Sequence, residues 1–467
     1  MNATPRRPAS PSLHLHQYVR QPGVVRRAAR LVALVCTAAA LAGCGGGSDD
    51  RLVNTCTLAE QQAGLRDYMR SWYLFSATMP DPPPGASTTI EDYFDTLLVD
   101  TDRWSQVSDS AAFDALLFGG RTLGYGLYVA GQRDDPLPLR VRHVSPGSPA
   151  AAAGLVRGTI IDSIDGTDAA VLKASGDFSV LSPRQAGTTL ALVVRASAAA
   201  APASASLAAT VHDVAPVGAP QVLTSPLGRK VGYVHDLAFI HGAGAALADA
   251  FVRFKAAGVQ DLVLDLRYNT DGLLHQSRDV ASAVGGAAIT GRVYAHLAYN
   301  SRHGAADTDL HFLAGPLSAL DLTRVYVLSG VRTCSAAEAL INGLAPHLQV
   351  VQIGATTCGK PYGSNPVQAC GRTYTAVNFA LGNSAGSGGY TGGLAPACAV
   401  ADDFDHALGA PDEALTAAAL QHVDTGACPP ATPAASAAAA TPARPAATRA
   451  SRRQVPDDGM PRLDLLP

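Results

Sequence analysis

The sequence predicts an α/β protein with a short helical segment on its N-terminal side. From Lys230 onward, strand-length apolar runs (VGYVHDLAFI, DLVLDLRYN) alternate with stretches of helical spacing such as Gly244–Ala257, the mark of a sheet covered by helices. From Thr57 to about Phe118, LAEQQAGLRDYMRSWYLF and IEDYFDTLLV carry apolar residues three and four apart, which predicts helices. With 467 residues and 47% hydrophobic composition there is room for two or three domains and a large core.

Arg26–Cys44, RRAARLVALVCTAAALAGC, has a basic start and an apolar run too short for an ordinary membrane span, the form of a signal peptide. The residues ahead of it are unusually many for a leader and point to a translation start near Val24 or Val25. Leu41-Ala42-Gly43-Cys44 resembles the lipobox of bacterial lipoproteins. That resemblance implies a leader over 1–44, lipidation of Cys44, a membrane partner reached through that anchor, and residence in the cell envelope. Gly45 stands where an aspartate would signal inner-membrane retention, so a periplasm-facing, outer-membrane lipoprotein is expected; a cleaved leader without lipid is the alternative.

Residues 45–55 begin GGGSDD and form a flexible tether. Residues 56–118 are the helical segment, with Tyr68, Trp72, Tyr73 and Phe75 assigned to its core. Its Pro80–Gly85 stretch is a loop placed to overhang a site. Ala196–Ala209 is low-complexity and is expected as a loose strand connection. Beyond Cys428, residues 429–467 are an Ala/Pro-rich tail expected to be disordered.

The chemistry centres on Val325–Gly363. A strand at Val325–Leu328 runs through a Gly-containing loop into Thr333-Cys334-Ser335-Ala336-Ala337-Glu338, whose small residues open a helix. A second strand, Val350–Gly354, ends in a loop that delivers Lys360. A serine hydroxyl is a poor nucleophile until a base takes its proton, and a lysine serves as that base only when its amine is neutral. A helix start at Ser335 also aims the Ala336 amide where an oxyanion forms. An N-cap serine and a solvated lysine are the plainer alternative for the same residues.

CSAAEAL, the glycine-lysine of CGKPYG and the upstream DLRYNTDG resemble, in order and spacing, the C-terminal processing (tail-specific) serine peptidases, a Ser/Lys family with an embedded PDZ domain. The resemblance extends over roughly Arg121 to Cys428. It implies Ser335 as nucleophile, Lys360 as general base, an oxyanion hole from the Gly272 and Ala336 amides, and a crotonase-like ββα peptidase domain over 214–428. It implies no cofactor and no metal. Within 119–213, LGYGLYV and VRHVSPGSPAAAAGLVRGTIIDSIDG resemble a PDZ domain, mixed β with short helices. Leu123, Gly124, Tyr125, Gly126 and Leu127 would then form its carboxylate-binding loop, and protein or peptide C-termini would be its partners.

Two residues depart from the family pattern. Asp271 replaces the first of two glycines, and Ser364 replaces a glutamine that orients the lysine, leaving Ser364 or Gln368 as candidates for that role. These departures keep a second reading open, a non-catalytic peptide-binding scaffold lipoprotein; hydrolysis of small esters or amides is a third. Asp265 and Arg267 are expected to form an internal ion pair or to contact backbone, and Glu338 to be a structural residue, with orienting the site as its alternative role. His275, His296, His303 and His311 have no spacing that nominates a catalytic one. Asp402, Asp403, Asp405 and His406 cluster tightly enough to suggest a metal, but helix-capping and pairing with the helix dipole are the expected roles.

Charge argues against nucleic acid: the net charge is −3, and the leader region alone holds six arginines and no acid. Behind a leader, the six cysteines at 56, 334, 358, 370, 398 and 428 favour disulfides. Loop locality favours Cys358–Cys370 and Cys398–Cys428, leaving Cys56–Cys334. Oligomeric state has no sequence signal.

Overall fold

The computed structural model describes residues 55–131, 137–314 and 318–430. The leader with Cys44, the tether up to residue 54 and the tail from residue 431 lie outside them. Among the described residues no helix is long and apolar enough to cross a membrane.

The N-terminal helices begin where threonine or aspartate side chains cap free amides. Helix α1 (Leu58–Trp72) follows Thr57, α2 (Ile90–Leu97) follows Thr89, and α3 (Ser110–Leu117) follows Asp109. Between α2 and α3 lies a strand that helical spacing does not show, β1 (Gln106–Asp109), paired antiparallel with residues 372–375. Leu65, Met69, Tyr73, Tyr93, Phe94 and Leu97 pack with Tyr374, Ala376 and Val377, so this segment shares a core with the C-terminal part of the chain. Tyr73 is fully buried, Tyr68 and Phe75 pack against the same cluster, and Trp72 stacks on His303 at 3.5 Å. The Pro80–Gly85 loop is fastened to α1 and α2: Arg66 and Arg70 donate to Asp81, and Tyr93 Oη donates to the Pro82 carbonyl.

The next unit contains β2 (Arg121–Gly124), β3 (Leu127–Ala130), β4 (Arg140–Val144), α4 (Pro149–Ala152), β5 (Ile160–Ile164), β6 (Thr167–Asp168), α5 (Ala169–Ser175), β7 (Thr189–Arg195), β8 (Ala203–Ala208) and β9 (Thr210–Asp213). The antiparallel order β3-β4-β5-β7-β8 encloses its own core of Leu127, Val129, Val141, Ile161, Leu190, Leu192 and Leu207. Strands β2 and β9 pair with each other, bringing the unit's entry and exit together as an insertion requires. Of the Ala/Ser run over 196–209 only residues 196–202 are a strand connection: from Ala203 to Ala208 β8 pairs with β7 over six residues, and Leu207 and Ala209 are buried. Small side chains do not prevent a strand when its neighbour supplies the ladder.

The remaining elements are β10 (Gln221–Thr224), β11 (Lys230–His235), α6 (Ala243–Ala257), β12 (Asp261–Asp265), α7 (Leu274–Gly285), β13 (Val293–Tyr299), β14 (Thr308–His311), β15 (Arg324–Ser329), α8 (Ala336–Leu344), β16 (Gln349–Gly354), β17 (Tyr362–Gly363), β18 (Val367–Ala369), β19 (Arg372–Thr375), β20 (Phe379–Gly382), β21 (Cys398–Ala399) and α9 (Ala414–Thr425). The central sheet runs β10-β11-β12-β15-β16-β21, parallel except for β10. Its strands are apolar on both faces because both are covered. Val234, Leu264, Val325 and Val327 meet α6, α7 and α8, whereas Tyr233, Val263, Tyr326 and Leu328 meet α9. Smaller sheets, β14-β13-β20-β17 and β1-β19-β18, flank this core.

Candidate active site

Three neighbouring parallel strands end at one edge of the central sheet. The loops leaving β12, β15 and β16 carry Gly272, Ser335 and Lys360. In open α/β sheets this carboxyl edge is where ligands bind. Cross-bonds fix the loops to one another. Thr333 Oγ1 donates to the Leu266 carbonyl (2.8 Å), the Cys334 amide to the Asn269 carbonyl (2.9 Å), and the Cys358 amide to the Thr333 carbonyl (3.0 Å).

Ser335 stands at φ 55°, ψ −114°, a conformation that costs a non-glycine residue about 1–3 kcal/mol. It is held there by Glu338, a fully buried carboxylate one turn into α8. Glu338 accepts the amides of Ser335 (3.1 Å), Gly359 (2.8 Å) and Lys360 (2.8 Å) and the Thr357 hydroxyl (2.5 Å). One side chain thus fastens the backbone of the serine turn to the backbone of the lysine loop. Burial pushes the Glu338 carboxyl up from its ordinary range, and the hydrogen bonds from Thr357, Lys360, Gly359 and Ser335 oppose that rise. Ala336 is the first residue of α8, so its amide is one of the helix's unpaired donors.

Lys360 is 8% exposed, and Nζ donates to Asp271 Oδ2 at 2.9 Å. Among the described residues no hydrogen bond joins Nζ to Ser335 Oγ. The second Asp271 oxygen, Oδ1, accepts the Gly272 amide at 2.9 Å. Gly272 has φ 146°, and a Cβ there would stand 2.6 Å from the Phe239 carbonyl oxygen, so the backbone's close approach requires glycine. The candidates for orienting the lysine face elsewhere: Ser364 Oγ donates to the Thr375 carbonyl and Gln368 Nε2 to Asp114.

Two of the three expected disulfides pair differently. Cys398–Cys428 forms as expected, but Cys358 joins Cys334 and Cys370 joins Cys56. Loop locality misleads because β15 and β16 are adjacent and parallel, which sets the loops before Ser335 and before Lys360 side by side. The Cys334–Cys358 bridge therefore ties the residue preceding the serine to the loop that presents the lysine.

The N-terminal segment also reaches this edge. Arg103 donates to the Cys358 carbonyl at 2.9 Å, and the Trp104 ring lies 5.9 Å from Lys360 Nζ. Neither residue carries a sequence signal, because the contact depends on how β1 docks more than 250 positions away. Elsewhere, Asp265 and Arg267 form the expected ion pair at 2.9 Å. Asp402 accepts from Arg157, Arg267 and Tyr268, while Asp403 pairs with His406 at 2.7 Å. His296 pairs with Asp309, and His303 bonds Ser71 Oγ at 2.9 Å. In the insertion, the Leu123–Leu127 loop joins β2 to β3. Tyr125 is buried there, its carbonyl accepting the Ala150 amide at 2.9 Å, and the Gly126 carbonyl accepts the Ser145 amide.

A model of Peptidase family S41 matches residues 230–382, which hold Gly272, Ser335 and Lys360, and a model of the Peptidase S41 N-terminal domain matches residues 60–106. The chain belongs to peptidase family S41. Family members named as processing proteases resemble it over part of their length. The carboxyl-terminal-processing protease of Synechocystis sp. is 29% identical over 52% of this chain and 53% of its own. The chloroplastic carboxyl-terminal-processing peptidase 2 of Arabidopsis thaliana is 25% identical over 56% and 50%. The chain spans about half the length of the curated relatives it matches. A crystal structure from Bacteroides fragilis, assigned to the S41 proteases, superposes with a TM-score of 0.60 at 26% identity, covering 78% of this chain and 97% of its own. In S41 terms, the N-terminal domain is the part that brings Arg103 and Trp104 to the lysine loop.

Proposed function

We propose that this S41 chain is a serine endopeptidase that cleaves proteins or peptides presented by their C-termini, through Ser335 and Lys360. The observation that carries the reading is the Glu338 carboxylate, which binds the amides of both residues and so couples their loops. In the reaction, Ser335 Oγ bonds to the scissile carbonyl carbon while its proton passes to neutral Lys360 Nζ. The carbonyl oxygen becomes an oxyanion facing the Ala336 and Gly272 amides. Collapse breaks the C–N bond, Lys360 returns the proton to the leaving amine, and water repeats the sequence on the acyl-enzyme. For Lys360 to take the proton, its ion pair with Asp271 must open.

The 119–213 insertion would act as a PDZ domain, holding a substrate C-terminus at the Leu123–Leu127 loop, and the 214–428 domain would have the crotonase-like architecture. Lipidation at Cys44 would set the enzyme in the cell envelope, facing the periplasm. The reading is tested by incubating an unstructured protein with wild type and Ser335→Ala and following fragments by mass spectrometry. Cleavage by the wild type alone supports it, whereas equal cleavage, or none by either, favours the peptide-binding scaffold.

A further inference from the structure

The assignment of Ser335 and Lys360 as nucleophile and base, on which this inference rests, leaves one charged group at the site without a task. Asp271 has one oxygen on Lys360 Nζ and the other on the Gly272 amide, both at 2.9 Å. Each partner is needed in another state during the reaction. The amine must be neutral to accept a proton, and the amide must be open to receive an oxyanion. A carboxylate spanning these two donors occupies them as a cleaved chain would with its newly formed C-terminal carboxylate.

Other groups face the lysine without replacing this contact. Glu338 binds its backbone amide, and Arg103 donates to the Cys358 carbonyl two residues earlier. Burial raises the hydroxyl of Tyr362, two residues after the lysine, so it supplies no negative charge near neutral pH. Among the described residues, Asp271 alone lies within ion-pair distance of Nζ. Its side chain is 26% exposed against 10% for Lys360, so the carboxylate has the more open path toward solvent.

We propose that Asp271 is a positioning residue that holds the Lys360 amine in an ion pair and the Gly272 amide occupied in the resting site, and that an incoming scissile carbonyl displaces it. On displacement the carbonyl oxygen takes the Gly272 N–H, the carboxylate turns outward, and Lys360 gives one proton to water before accepting the Ser335 proton. Opening the Asp271 contact is therefore what makes the base available. Asparagine keeps an oxygen for the Gly272 amide but removes the charge, and glycine removes both.

The test is the pH profile of kcat/KM from pH 5 to 10 for wild type, Asp271→Asn, Asp271→Gly and Ser335→Ala. In parallel, intact mass follows the rate at which a fluorophosphonate labels Ser335, a readout that needs no cleavable substrate. The acid limb should move down by about one pH unit in both Asp271 variants, raising kcat/KM and labelling about tenfold at pH 7. Coincident acid limbs, or a fall at every pH without a shift, overturn the proposal. Glycine serves as the second variant should asparagine misfold. Labelling or cleavage that survives in Ser335→Ala, or a wild type that neither cleaves nor labels, overturns the nucleophile assignment itself.

Discussion

Glu338 is the residue on which the site's geometry turns. Its carboxylate is buried and surrounded by donors, three amides and one hydroxyl, all on buried residues. Replacing it with glutamine points an NH2 group at donors. Glu338→Gln should therefore destabilise the fold by about 3 kcal/mol, since each stranded buried donor costs ~1–3 kcal/mol. It should also lower kcat/KM at least a hundredfold, the first effect read by urea denaturation and the second by peptide cleavage. The position of Glu338 on the helix after Ser335 is legible in the sequence. Its reach to Gly359 and Lys360 is not, because that depends on two parallel strands lying side by side. The same holds for Asp271: the sequence shows a carboxylate beside the site, whereas its grip on Lys360 is a fact of loop packing.

At the scale of elements, the parallel register of β15 and β16 sets the site, and the Cys334–Cys358 bridge reinforces it across a 24-residue separation. Closing a loop of that length stabilises by roughly 3 kcal/mol in the chain-entropy account. The double variant Cys334→Ala/Cys358→Ala should lose about that much stability and most of its activity, because the serine turn and lysine loop then move independently. A variant that melts lower yet cleaves at the wild-type rate would show that Glu338 alone keeps the loops aligned. The β12, β15 and β16 strands were legible as apolar runs and α6 as a helical pattern. The cysteine partners were not, since locality along the chain carries no information about which strands are neighbours. Strand β1 was hidden for a related reason: its partner lies at residues 372–375, and local periodicity cannot see it.

At the scale of the whole molecule, the insertion and the α/β core meet through charged and aromatic groups. Arg157, just before β5, donates to Asp402, to the Tyr268 hydroxyl and to the Asp403 carbonyl. Burial alone would raise Asp402, but the Arg157 and Arg267 charges outweigh it and hold the carboxyl below its ordinary value. His143 of β4 lies against His235 of β11 at 5.8 Å, its Nε2 buried without a hydrogen-bond partner among the described residues. Burial, followed by the nearby His235, Arg142 and Arg157 charges, pushes His143 down to about 3 from an ordinary 6.5. In the folded protein this ring stays neutral while the unfolded chain takes up a proton below pH 6.5. Its contribution to stability is thus complete above pH 6.5 and lost progressively as the pH falls toward 3, by at most about 1.4 kcal/mol per pH unit. Wild type should lose urea resistance between pH 7 and pH 5 more steeply than His143→Gln; parallel slopes would contradict this account of the interface.

The central claim is that Ser335 is the nucleophile of a peptidase. The most direct measurement is intact-mass detection of a covalent adduct after exposure to a fluorophosphonate, followed by peptide mapping. One adduct, located on Ser335, absent from Ser335→Ala and faster to form as pH rises, is the predicted result. An unlabelled wild type, or an adduct elsewhere that persists in Ser335→Ala, would contradict it.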